Sequence, residues 1–247
     1  MPAVLNIAAY KFVTIEDAAA LRERLQAQAA AMSLLGTILL AGEGINLFLA
    51  GEESAVRSFV TKLRDDTRFA DLEIKESWSD SVPFKRLRVK IKREIIRMDH
   101  PAIQPESGRA RAVDAVTLAR WLDAGHDDDG RPLLMLDTRN GFEVDHGRFN
   151  GALDWRLSKF TEFPQRLAEH REQLQDHTVV SYCTGGIRCE KAALLMREQG
   201  LEHVWQLDGG ILKYFETVGH QHYDGDCFVF DEREALDPRL APRPRSS

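Results

Sequence analysis

The chain has 247 residues, 43% hydrophobic and 29% charged, with a formal net charge of −6. That is the composition of a soluble globular protein with room for one large domain or two ordinary ones, and its acidic balance argues against indiscriminate nucleic-acid binding. With no run of about 18 apolar residues and no secretory pattern at the N-terminus, a cytoplasmic protein without a membrane span is expected.

Taken in chain order, VLNIAAYKF (4–12) reads as a strand. Residues 15–32 read as an Ala/Leu/Arg/Gln-rich helix with Thr14 as its N-cap. GTILLAGEGINLFLAG (36–51) reads as two strands around a turn at Gly42–Gly44. Residues 53–66 are helical, and 71–77 and 86–96 return to strand. The order β-α-β-β-α-β predicts a ferredoxin-like α+β sandwich over residues 1–100, with two helices on one face of an antiparallel sheet. Pro101, Pro105 and Gly108 mark residues 101–110 as a linker.

A second α/β domain is expected over 111–217. Its helices are predicted at 113–125, 162–175 and 190–200, and its strands at 133–139, 178–183 and 203–210. Such alternation argues for a parallel sheet covered on both faces, with ligands bound beyond the carboxyl ends of the strands. Residues 218–247 form a C-terminal extension whose end, LDPRLAPRPRSS, reads as a disordered tail. The two halves differ in charge: residues 1–100 carry 15 Lys+Arg against 14 Asp+Glu, and residues 101–247 carry 18 against 25.

Two stretches carry chemistry. In SYCTGGIRCEKA (181–192) a strand delivers Cys183 to its carboxyl end. Gly185 and Gly186 let the backbone turn its N–H groups inward, and the helix that follows aims its positive end at the same spot. Arg188 adds a permanent charge. Together these lower the thiol pKa and make Cys183 a nucleophile rather than a packed hydrophobe. Cys189 either packs in the first helical turn, the favoured reading, or resolves an oxidised Cys183 as a disulfide. Cys227 reads as structural. Three cysteines at these spacings form neither a disulfide framework nor a metal finger, so no metal is expected.

The second stretch is RLRVKIKREI. Leu87, Val89 and Ile91 alternate with Arg86, Arg88, Lys90 and Lys92, which puts one face in the core and a row of cations on the other. Residues 85–97 hold seven basic residues and one acidic, a local +6. The row protects a sheet edge or contacts a phosphate backbone. Trp78 and Phe84 pack in the core, or stack a base if exposed.

CTGGIR resembles the active-site loop of rhodanese-like domains, whose cysteine carries a persulfide. LLMLDTRNGFEVDHGRFNGALD (133–154) and VWQLDGGILKYFE (204–216) resemble flanking segments of the same domains, so the likeness covers about residues 111–217. Four residues, Thr184, Gly185, Gly186 and Ile187, separate Cys183 from Arg188, where the related cysteine phosphatases have five; this tighter cradle disfavours phosphatase chemistry. In order, GTILLAGEGIN, PFKRLRVKIKREII, YCTGGIRCEKAALLM and GDCFVFDER resemble the rhodanese-related tRNA uridine hydroxylases across about residues 1–235. Longer relatives continue into a cysteine-rich tail where this chain has LDPRLAPRPRSS.

The resemblance implies a ferredoxin/acylphosphatase-like domain that binds tRNA through Arg86, Arg88, Lys90 and Lys92, followed by a catalytic rhodanese-like domain. It further implies an oxygen-dependent oxidoreductase that hydroxylates carbon 5 of the wobble uridine, position 34, in the anticodon loop. Cys183 is then the essential residue, set in the loop Thr184, Gly185, Gly186, Ile187, Arg188. Molecular oxygen is the co-substrate, the reductant is unassigned, no cofactor is identified, and oligomeric state is open. Cys183 acts either by adding to C6 of the ring or through an oxidised sulfur. The alternative is a sulfurtransferase working through a Cys183 persulfide. Asp137, Arg139, Glu143 and His146 are candidates for proton transfer, although the first two more often hold loops and His146 sits among turn residues.

Overall fold

The computed structural model describes residues 4–243, which form two compact units. The first comprises residues up to Ile96 together with Phe230–Arg233. Its elements are β1 (Val4–Phe12), α1 (Ala18–Ala31), β2 (Leu35–Ala41), β3 (Gly44–Gly51), α2 (Glu53–Arg64), β4 (Lys75–Ser79) and β5 (Leu87–Ile91). The sheet order is β4-β1-β3-β2-β5. The first four strands pair antiparallel, the ferredoxin-like arrangement expected. Alternate residues of β1–β3, such as Leu5, Ile7, Ile38, Leu40, Leu47 and Leu49, pack with Leu21 and Leu25 of α1 and Val56, Phe59 and Leu63 of α2 in one core.

Three details depart from the sequence reading. β5 is a fifth strand added parallel to β2 at the sheet edge, and it ends at Ile91. Beyond it the Lys92 N–H still reaches the Leu40 carbonyl at 2.7 Å, and the Ile95 N–H turns to the Glu43 carboxylate at 2.7 Å. Second, α1 begins at Ala18 with Asp17, not Thr14, at its N-cap position; the Asp17 carboxylate is drawn instead into an ion pair with Arg68. Third, residues 230–233 belong to this unit, where Glu232 N–H bonds Pro83 O at 3.1 Å and Arg233 Nη1 bonds Ser77 Oγ at 2.7 Å.

The second unit contains β6 (Ala112–Val113), α3 (Ala115–Ala124), β7 (Leu133–Asp137), α4 (Gly141–Val144), β8 (Gly147–Phe149), β9 (Leu153–Asp154), α5 (Phe163–His170), β10 (Thr178–Tyr182), α6 (Ile187–Glu198), β11 (Val204–Leu207), α7 (Gly210–Thr217), β12 (Tyr223–Gly225), β13 (Cys227–Phe228) and β14 (Ala235–Leu236). Five strands form an all-parallel sheet in the order β6-β11-β10-β7-β9. β10 is central and every residue of TVVSY is buried, which is why it reads as an unbroken run rather than an alternation. Val180 and Tyr182 face a core shared with α3 and α7, while α6 packs on β10 and β11 and α5 packs on α6. Among the described residues no helix is long and apolar enough to cross a membrane.

The expected linker is part of this unit. Ile103, Pro105 and Ala110 are buried, and Arg109 bonds Glu190 at 2.7 Å and Asp208 at 2.8 Å. The expected disordered tail is ordered through Arg243, and residues 244–247 lie outside the described residues. β14 pairs with β13, and Asp237 Oδ1 gathers the Arg239 and Ala241 N–H groups into a turn. Leu240 packs on the core and Arg243 pairs with Asp226. Alternating Pro and Arg reads as solvated chain, but Asp237 supplies the acceptor that closes a turn and Leu240 the apolar anchor.

Candidate active site

The site is built at the carboxyl end of β10. Cys183 follows the strand directly, fully buried, and residues 184–186 turn the chain into α6. Gly186 has φ +98°, a left-handed conformation that costs a side-chain-bearing residue energy, and from it the Gly186 N–H reaches the Cys183 sulfur at 3.1 Å. α7 secures the loop from outside. Its first amides, Ile211 N–H and Leu212 N–H, donate to the Cys183 and Thr184 carbonyls at 3.0 and 3.1 Å. With the carbonyls held outward by one helix, the loop's N–H groups are left facing the sulfur, as the nest requires. Thr184 Oγ donates to the Phe228 carbonyl at 3.3 Å and so ties β13 to the loop.

Arg188 is buried in the first turn of α6, and its two terminal nitrogens fork onto the Glu143 carboxylate at 2.6 and 2.7 Å. Glu143 also accepts the Asn140 N–H at 3.0 Å as part of a capping box that starts α4. Arg188 is therefore a fixed charge, not a free fork for a substrate. Burial pushes the Cys183 thiol up. A hydrogen bond from Cys189, the Arg188 charge and the Arg188 and Gly186 N–H groups outweigh it and bring the pKa down from 9.0 to about 5. At neutral pH the sulfur is a thiolate.

Of the remaining candidates, Asp137 and Arg139 take structural positions. Asp137 and Arg139 are completely buried and grip each other at 2.6 Å, and Arg139 also holds the Gly147 carbonyl at 2.6 Å. His146 is exposed, with its ring 5.2 Å from that of Phe228. Cys189 is buried, and burial together with the neighbouring Cys183 pushes its thiol well up. Cys227 is buried as well; burial raises its thiol to about 12 against the opposing pull of the Arg139 charge and of Thr184, and its sulfur lies 3.7 Å from the Phe228 carbonyl. All three cysteines thus gather around one loop. Nothing in the spacing of Cys227 announced this, because the β-strand that carries it is only two residues long. Among the described residues, no group of three or more His, Cys, Asp or Glu side chains is placed to hold a metal ion.

Arg86, Arg88, Lys90 and Lys92 are exposed along and beside β5, in the first unit, while residues 183–188 lie in the second. The alternation beneath the cations holds for Leu87 and Val89 and fails at Ile91, which is 46% exposed where the edge strand ends. Trp78 is 40% exposed and Phe84 half-buried, so neither is a core residue.

Comparison with known proteins covers both units. A family described as the UPF0176 acylphosphatase like domain matches residues 4–95, and the rhodanese-like domain matches residues 118–217. A protein of Variovorax paradoxus (strain S110) is 68% identical over 243 residues, covering 98% of this chain and 92% of its own length. One from Bordetella petrii is 66% identical over 242 residues, covering 98% and 96%. One from Bordetella pertussis (strain Tohama I) is 63% identical over 243 residues, covering 98% and 100%. Each carries the name tRNA uridine(34) hydroxylase.

Proposed function

The chain belongs to the tRNA uridine(34) hydroxylase family, and from that premise we propose that it hydroxylates carbon 5 of the wobble uridine of tRNA, with Cys183 as the reactive group and molecular oxygen as co-substrate. The observation that carries this is overall identity above 60% to proteins of that name over alignments that cover 98% of the chain and so span both units. A persulfide carrier would need only the second unit. The base belongs to the anticodon loop, where unpaired bases can be splayed out and presented edge-on. Cys183 has no exposed surface, so the uridine displaces part of the cover over the loop to reach the sulfur. The fixed Arg188–Glu143 pair and the bonds from α7 keep the thiolate cradle assembled while the base enters. Arg86, Arg88, Lys90 and Lys92 supply phosphate contacts that position the anticodon stem-loop.

The test is nucleoside mass spectrometry of tRNA from cells lacking the protein, complemented with wild type or Cys183→Ala. The expected result is loss of 5-hydroxyuridine derivatives, restored by wild type alone. Unchanged oxygenated nucleosides with a fall in a thiolated one would overturn the reading in favour of sulfur transfer.

A further inference from the structure

Cys189 is more than filler in a helical turn. Its N–H bonds the Gly186 carbonyl at 3.0 Å, and its side chain is fully buried. Thr138 fixes where its sulfur lies: the Thr138 hydroxyl donates to the carbonyl of Tyr182, the residue before Cys183, at 2.9 Å, and the same oxygen is 3.7 Å from Cys189 Sγ. The Cys183 sulfur accepts the Gly186 N–H at 3.1 Å, and each thiol acts on the other: against burial, Cys189 leads in holding the Cys183 thiol down, while burial and Cys183 push the Cys189 thiol up. If a donor to the thiolate were all the fold required, a serine hydroxyl would be the stronger one. What a second sulfur adds is redox capacity.

The electron count of the reaction asks for that capacity. Turning C–H into C–OH with molecular oxygen leaves a second oxygen atom, whose release as water takes two electrons and two protons. Two thiols that become one disulfide supply both. Resting on the hydroxylase reading above, we infer that Cys189 is a second catalytic thiol, which resolves an oxidised Cys183 as a disulfide and so delivers the reducing equivalents from within the active site.

The steps balance. Dioxygen adds at C5 of the uridine, forming the C5–O bond, and the C5 hydrogen passes to the outer oxygen to give a hydroperoxide. The Cys183 thiolate attacks that outer oxygen. The O–O bond breaks, its electron pair stays on the inner oxygen, and that oxygen takes a proton to become the C5 hydroxyl. Cys183 is left as a sulfenic acid, oxidised by two electrons. The Cys189 sulfur attacks the Cys183 sulfur, the S–O bond breaks, and the oxygen leaves as water with the thiol proton. One uridine, one O2 and two thiols become one 5-hydroxyuridine, one water and one disulfide. An external dithiol reopens the pair by exchange.

The experiment uses the full chain, reduced, stripped of reductant and mixed with excess unmodified tRNA before air is admitted. Quenching, alkylation and peptide mapping then give product and thiol state in the same sample. Wild type is expected to yield about one 5-hydroxyuridine per protein, matched by an equal amount of Cys183–Cys189 disulfide, and Cys189→Ser about a tenth of that or less. The mapping of wild type decides the matter even if the variant does not fold. A full burst from Cys189→Ser, a burst that leaves both thiols free, or a disulfide that takes Cys227 instead overturns the inference. Wild type that makes no product even with excess dithiothreitol overturns the hydroxylase reading itself, and this inference with it.

Discussion

At the scale of single residues, the contest is over the charge on Cys183. Full burial opposes a thiolate, and a sulfur in an apolar pocket would stay protonated at neutral pH. The Cys189 thiol, the Arg188 guanidinium and two N–H groups reverse that outcome. Because the folded pKa is depressed, the sign is fixed: the thiolate contributes stability that is complete above the ordinary value of 9.0 and lost as pH falls through about 5. The rate of Cys183 alkylation by iodoacetamide is expected to follow the same group, flat at neutral pH and halved near pH 5. Arg188→Met removes the charge, so the midpoint moves upward. It also strands Glu143, which is wholly buried, at a cost of about 3–5 kcal/mol in urea unfolding. A midpoint that stays put in a folded variant would show that Arg188 does not set the thiolate. The sequence made the nest and the charge legible, since glycines, helix start and arginine lie within six residues of the sulfur. It could not show that Arg188 is clamped, because Glu143 is 45 residues away along the chain.

Among the elements, α7 decides whether the loop keeps its shape. Gly210 opens this helix at φ +67°, and a Cβ there would stand 2.5 Å from the Cys183 carbonyl oxygen and 2.7 Å from the Gly186 nitrogen. Both atoms are backbone, so neither can swing aside. Gly210→Ala must push the helix off the loop and weaken the two bonds to Cys183 and Thr184. The expected cost is about 2–4 kcal/mol, from left-handed strain plus two buried hydrogen bonds, together with a higher alkylation midpoint for Cys183. Unchanged stability and an unchanged midpoint would mean that α7 does not brace the site. Elements of this second unit were legible where the apolar or helical stretch was long enough: the unbroken buried run of β10 and the helical stretch of α6 stand out. The two-residue strands β6, β9, β13 and β14 were not, because so short a pairing leaves no period to read and is fixed only by the sheet or turn beside it. The turn at 237–241 was missed for a related reason, since a single carboxylate gathering two N–H groups overrides a composition that looks disordered.

For the whole molecule, the division of labour follows charge. The near-neutral first unit concentrates its cations on the stretch around β5, and the acidic second unit holds the thiolate. Two physical explanations compete for that row. β5 is an edge strand, and Lys and Arg on an edge deter pairing with another chain. The same row, presented by a protein that acts on tRNA, suits contacts to a phosphate backbone, which position the ligand without reading its sequence. The two explanations predict different losses when Arg86, Arg88, Lys90 and Lys92 are all changed to Gln. If the row only guards the edge, the variant self-associates in light scattering while its affinity for tRNA and the salt dependence of that affinity stay as in wild type. If it holds RNA, each lost phosphate contact lowers the slope of log K against log salt by roughly 0.7–0.9, so four lower it by about 3. The second outcome is the one expected, with alkylation of Cys183 unaffected because the leading groups that set the thiolate, Cys189, Arg188 and Gly186, belong to the second unit. A salt slope equal to that of wild type would remove the basic strand from the tRNA-binding surface and leave edge protection as its whole role.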